Sequence, residues 1–200
     1  TAVTVENPPS PKAIIVAGGS PFDILWPATE KNAGLAYEAL RFQGYSDDDI
    51  YLMSGMAFSA EVDASATLGN LSNAVNAWAN TQPRDGVLYL MGNGDTGVFE
   101  INDTERLSAT ELDQWLDNLQ NNMSGRITVI YDACRSGSFL PLLTPASGKE
   151  RVLISGSGDE QPACFLSDGD ISFSGFFWRG VLNGDTVREA FSDAGSALSM

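Results

Sequence analysis

The chain has 200 residues, 43% hydrophobic and 18% charged, enough for one domain with a full apolar core. Lys+Arg 11 against Asp+Glu 26 leaves a net charge of -15, which opposes general attraction to nucleic acid or anionic lipid and would draw a cationic ligand. No apolar run approaches the roughly 18 residues of a membrane span, and the two cysteines, Cys134 and Cys164, are too few for a disulfide framework and lack metal-ligand spacing.

Residues 1–11 form a polar, Pro-rich lead-in that reads as the cut edge of a larger precursor, and residues 12–200 read as one domain. No signal peptide is visible, so the compartment stays open, with an exported or extracytoplasmic one favoured. Ala13 to Ala17 (AIIVA) is expected to be a buried strand ending at Gly18 and Gly19. Ala28 to Phe42 has helical spacing with Gly44 as its stop. Ile50 to Met53 is the second strand, preceded by the acidic turn Ser46 to Asp49. That turn lacks the twelve-position calcium-loop pattern and reads as solvated.

Leu68, Leu71, Val75 and Trp78 mark one face of a second helix. Val87 to Met91 is the third and most apolar strand, and GNGDTG after it reads as a flexible loop. Val98 to Ile101 and Arg106 to Leu107 flank a turn and suggest a hairpin. Ser108 with Glu111 three residues on predicts a capping box opening a helix to about Gln120. Ile127 to Tyr131 and Val152 to Ser155 are the fourth and fifth strands. Phe173 to Leu182 and Thr186 to Leu198 are the last helices, the second with Val187, Ala190, Phe191, Ala194 and Leu198 on one face. Strands alternating with helices predict an α/β fold, a mostly parallel sheet wrapped on both sides.

Two strand ends carry the polar residues that chemistry needs. In ITVIYDACRSGSF (127–139) an apolar strand breaks at Cys134 into a small, turn-prone segment, and Met91-Gly92-Asn93-Gly94 ends the strand one crossover earlier. Ligands of open α/β sheets bind beyond the carboxyl ends of the strands. A buried, inert thiol is the plain alternative for Cys134. A thiol nucleophile needs a base, and an oxyanion needs unobstructed backbone N–H donors. Gly94 suits the second need and Asn93 stands where the base would be. The chain contains no histidine, the commonest general base and metal ligand.

The segments KAIIVAGGSPF (12–22), AYEALRFQGYSDDDIYLMSG (36–55), ATLGNLSNAVNAWA (66–79), LYLMGNGDTGVFEIN (88–102) and VIYDACRSGSF (129–139) together resemble the legumain-type cysteine peptidases, within the caspase-like fold. The resemblance spans nearly the whole chain and implies a three-layer α/β architecture. It implies a Cys134 nucleophile that forms a thioester acyl-enzyme on a peptide or protein substrate, and an oxyanion hole at Gly94 and the Cys134 amide. It calls for no metal or cofactor and places Asn93 at the family's catalytic histidine. An asparagine amide does not titrate near neutral pH, so the general base is missing and the chain is expected to be inactive or nearly so.

Two origins fit Asn93: a near-isosteric replacement of histidine in an active enzyme, favoured by the intact cysteine environment, or natural decay into a pseudopeptidase that binds or regulates, with other domains of a larger precursor as candidate partners. In the resemblance, asparagine preference goes with an Arg-His pair before the first helix. Asp23 to Thr29 (DILWPAT) has neither. Glu160 and Asp170, with Asp159 interchangeable, match the acidic side of the substrate pocket and suit a Lys or Arg side chain, although solvated loop carboxylates read equally well. Cys164, among apolar neighbours, reads as buried rather than reactive, and a redox pair with Cys134 is left open.

Overall fold

The computed structural model describes residues 9–199. In chain order its strands are β1 (Lys12–Ala17), β2 (Ile50–Ser54), β3 (Val62–Ser65), β4 (Gly86–Met91), β5 (Asn93–Asp95), β6 (Val98–Glu100), β7 (Arg106–Ser108), β8 (Ile127–Asp132) and β9 (Arg151–Ser155). The helices are α1 (Trp26–Phe42), α2 (Leu68–Asn73), α3 (Ala109–Asn121), α4 (Phe173–Leu182) and α5 (Val187–Leu198). Six strands form a parallel sheet in the order β3-β2-β1-β4-β8-β9, and β5, β6 and β7 form a small antiparallel one.

Alternation along the strands explains the three layers. Ile14, Val16, Leu88, Leu90, Val129 and Tyr131 face one core with α2, α3 and the small sheet. Ala13, Ile15, Ala17, Tyr89, Met91 and Ile130 face the other, with α1, α4 and α5. Strands apolar on both faces can be covered only by helices on both sides. The chain runs outward from β1 through β2 and β3, then crosses back to β4 on the other side of β1. That reversal opens a crevice beyond the carboxyl ends of the central strands.

The five anticipated strands match to within a residue or two. β3 was not anticipated: VDAS is a half-exposed edge strand with no apolar face to read. β5 replaces part of the expected loop, because Asn93 to Asp95 pair with Val98 to Glu100. The second helix is α-helical only to Asn73 and then widens into a π-turn over Ala74–Trp78. There the Asn76 side chain takes the Ser72 carbonyl, the acceptor an α-helix would give to the Asn76 N–H. Ser108 caps α3 by accepting the Glu111 N–H, without the return bond of a full capping box. On α5 only Ala190 and Ala194 are buried, while Val187 and Phe191 are exposed.

Residues 1–8 of the expected lead-in lie outside the described residues. Ser10 is tied down, its hydroxyl donating to Asp49 and its carbonyl accepting from Arg84. The acidic turn is used internally: Asp49 also holds Ser46 and Lys12, and Asp47 holds Tyr37 and Arg41. Among the described residues no helix is long and apolar enough to cross a membrane, and no His/Cys/Asp/Glu group has the arrangement of a metal site.

Candidate active site

Strands β4 and β8 are neighbours with Met91 opposite Asp132, so the chain leaves both strands at the same level. Gly92 makes the first turn, with φ at 151 and a backbone so close to Gly18 that a Cβ would lie 2.8 Å from the Gly18 carbonyl oxygen. Asn93 follows, half-buried, its side-chain amide donating to the Asp23 carboxylate. A carboxylate only accepts, so the amide nitrogen is held on Asp23 and its oxygen turned away. Asp23 is itself fixed: its other oxygen accepts the Leu25 N–H at 2.8 Å, just ahead of α1.

Asp23 was not anticipated as a site residue, since its loop was read only for Arg and His. Phe22 and Ile24, on either side of Asp23, are 97% and 93% exposed, large apolar residues that the core does not use.

Cys134 is partly exposed beyond β8, and its sulfur receives the Ala163 N–H at 3.4 Å. The next N–H groups are committed, Arg135 to Gln161 at 2.8 Å and Gly137 to Ser157 at 3.0 Å, with Ser136 on Ala133 and Ser157. Among the described residues no acceptor engages the Cys134 N–H itself, so this donor is open to a ligand oxygen. Arg135 adopts the left-handed conformation with φ 57, uncommon for a residue with a side chain and typical of functional turns.

The turn after the cysteine is joined to the β5–β6 turn. Arg135 pairs with Asp95 at 2.6 Å, and the Ser138 hydroxyl accepts the Gly97 N–H at 2.9 Å while donating to the Arg135 carbonyl at 2.6 Å. Gly94 lies in the seam. A Cβ there would stand 2.1 Å from the Tyr131 hydroxyl, 2.9 Å from the Ala133 Cβ and 3.0 Å from the Cys134 carbonyl oxygen. The Tyr131 hydroxyl cannot yield freely, because it donates to the Val98 carbonyl at 3.0 Å. Gly94→Ala is expected to destabilise the fold by about 1–3 kcal/mol, the usual cost of overpacking, read as a lowered melting temperature. An unchanged melting temperature would mean that the seam is looser than the geometry requires.

Asp132, two residues before the cysteine, is buried and accepts from Ser174 twice, at 2.9 Å from the N–H and 2.6 Å from the hydroxyl. Burial pushes its carboxyl up from 3.8 to about 6, against the opposing pull of the Ser174 bonds. The native state therefore binds this proton more tightly than the unfolded chain does. The resulting stabilisation is complete below about pH 4 and is lost as pH rises through 6. Asp132→Asn keeps an acceptor for Ser174 and cannot ionise. Its stability relative to the parent is expected to rise by about 2–3 kcal/mol between pH 4 and pH 7.5, measured by denaturant unfolding across that range. A pH-independent difference would contradict the shift.

The two anticipated acidic residues differ in their surroundings. Glu160 is exposed in the segment after β9, which folds back onto the cysteine turn through Gln161 and Ala163. Asp170 lies between α1 and α4, its carboxylate paired with Lys31 at 2.5 Å and with Arg179. The hydrogen bond and charge of Lys31, with Arg179, hold that carboxyl below its usual range. Cys164 is exposed, contrary to the expectation of burial. Burial alternates along 162–166, turning Ala163 and Phe165 inward and Cys164 and Leu166 outward.

This sheet order, with helices on both faces and the crevice at the β4 and β8 ends, is the caspase-like α/β fold. Caspase-1 from Spodoptera frugiperda has a crystal structure that this chain matches with a TM-score of 0.66 over 96% of its own length and 77% of that chain, at 8% identity. No family model matches the chain, and no curated protein matches it.

Proposed function

We propose that this chain is a legumain-like cysteine endopeptidase domain, spanning residues 12–200, whose catalysis is disabled or nearly so by Asn93. The juxtaposition that supports it is the pair of strand ends, which brings the turn carrying Asn93 and Gly94 level with the turn carrying Cys134, whose N–H has no acceptor among the described residues. In this reading the Cys134 thiolate attacks the scissile carbonyl, and the oxygen that becomes negative is held by the Cys134 N–H and the Gly94 backbone. The leaving amine needs a proton, which an asparagine amide cannot deliver. A cysteine is a strong nucleophile even without a paired base, so a slow first step survives without an efficient second one.

Glu160, exposed beside the cysteine turn, carries the acidic side of the proposed substrate pocket and suits a Lys or Arg side chain. Asp170 joins it only by releasing Lys31 or Arg179. The test is Asn93→His, with Asn93→His/Cys134→Ala as control, on peptides carrying Asn, Asp, Arg or Lys before the cut. Cleavage that appears with histidine and disappears with Cys134→Ala supports the peptidase. A chain that binds these peptides but cleaves none in either form is a pseudopeptidase, a binding or regulatory module.

A further inference from the structure

We propose that the outer face of α1 is a docking groove for a basic peptide, which sets a Lys or Arg side chain between Glu38 and Glu61. On its inner side α1 buries Ala33, Ala36, Ala39 and Leu40 against the sheet and α4. Glu30, Gly34 and Glu38 recur every four residues along the other side. There two cavities of about 550 and 350 Å³ adjoin, sharing Gly34, Glu38 and Phe58. The far wall is Phe58, Ser59 and Glu61, in the connection from β2 to β3.

The charges of the groove select a cation. Lys31 and Arg179 are held by Asp170, and Arg41 by Asp47 and the Tyr45 carbonyl. Among the described residues the Glu38 and Glu61 side chains form no hydrogen bond and no ion pair. An incoming cation therefore finds two free carboxylates, whereas an anion must compete with Asp170 or Asp47. Glu61 acts across the groove on Tyr37, whose phenol is pushed up to about 12 by burial and its bond to Asp47, with a further push from Glu61. Half-buried Leu35, Tyr37 and Phe58 offer an apolar bed to the stem of a Lys or Arg side chain. Gly34 serves no contact inside the fold: a Cβ there would meet nothing within 4 Å, and its φ is not positive. Alanine would favour the helix. Glycine keeps the groove open where the two cavities meet, so that the backbone of a partner can approach. A second copy of this chain, at net charge -15, would be repelled. Docking in this groove does not depend on the peptidase reading.

The experiment titrates the full chain with the fluorescein-labelled peptide GSLRLKSG and with its acidic counterpart GSLELESG, read by fluorescence anisotropy and by amide chemical shifts. The basic peptide is expected to bind and the acidic one not, with the shifts centred on Gly34, Phe58 and Glu61. Glu38→Gln/Glu61→Gln should weaken binding by about tenfold, while the charge-matched pair Asp103→Asn/Asp193→Asn, outside both cavities, should change it by less than about twofold. Gly34→Gln fills the groove without harming the helix, and should weaken binding with no loss of melting temperature. An equal loss in the two charge-matched pairs would reduce the effect to net charge and overturn the proposal. Shifts centred on Asn93 and Cys134 would place the peptide in the crevice instead, and would overturn it as well. So would binding that survives Gly34→Gln unchanged, or no binding at millimolar peptide.

Discussion

Asn93→His is expected to raise Cys134-dependent peptide cleavage by about 10²–10⁴ over the parent chain, the usual contribution of general acid-base catalysis. Asp23 makes that expectation specific. Its carboxylate already holds the side chain at position 93 and is fixed by the Leu25 N–H. An imidazole there would donate one N–H to Asp23 and present its other nitrogen to the thiol. The chain has no other histidine, so the variant's imidazole would be the sole one in a proton NMR titration. Beside a carboxylate its pKa is expected above the usual value of about 6.5, and Asp23→Asn in the same background should lower both that pKa and the cleavage rate. An imidazole that titrates identically with and without Asp23 would refute the contact, whatever the activity.

Arg151→Ala is expected to cost about 2–3 kcal/mol, from lost charge-assisted hydrogen bonds and the void left by a fully covered side chain whose aspartate partners stay partly solvated, and to lower the melting temperature by on the order of 5–10 °C. The Arg151 side chain is 0% exposed. It reaches Asp113 and Asp117 at 2.5 Å each, the Gln120 side chain at 2.6 Å and the Leu143 carbonyl at 3.1 Å. One guanidinium thus joins edge strand β9 to successive turns of α3 and to the chain beyond the cysteine turn. Asp113 and Asp117 lie four residues apart on one helix face, so removing the cation leaves like charges together as well as a void. Arg151→Lys should recover only part of the loss, because an ammonium cannot fork between two carboxylates. Thermal unfolding of the two variants provides the measurement, and a loss under 1 kcal/mol for Arg151→Ala would show the cluster to be dispensable.

The central strands were legible because burial on both faces leaves unbroken apolar runs, as in AIIVA and VLYLM. The helices were legible because their apolar residues recur every three or four positions. The edge strand VDAS and the three-residue β5 had no such signature, since backbone pairing defines them and side-chain burial does not. The adjacency of the β4 and β8 ends was legible because strands one crossover apart in a parallel sheet tend to pair. The Asp23 contact was not legible, because it joins residues 70 positions apart through a loop with no periodicity. Cys164 was misjudged for a related reason: apolar neighbours in an extended segment alternate between core and solvent, and the sequence does not say which phase applies.

The link between the β5–β6 turn and the turn after the cysteine has a mechanical consequence. With Arg135 on Asp95, and Ser138 bridging Gly97 to the Arg135 carbonyl, one wall of the crevice behaves as a single piece. The crevice cannot widen from that side without breaking both ties. Among the described residues, Ser20 to Leu25, which display Phe22 and Ile24, carry no such tie to the cysteine turn. Under the proposed peptidase reading, that tied wall would fix where a bound backbone lies.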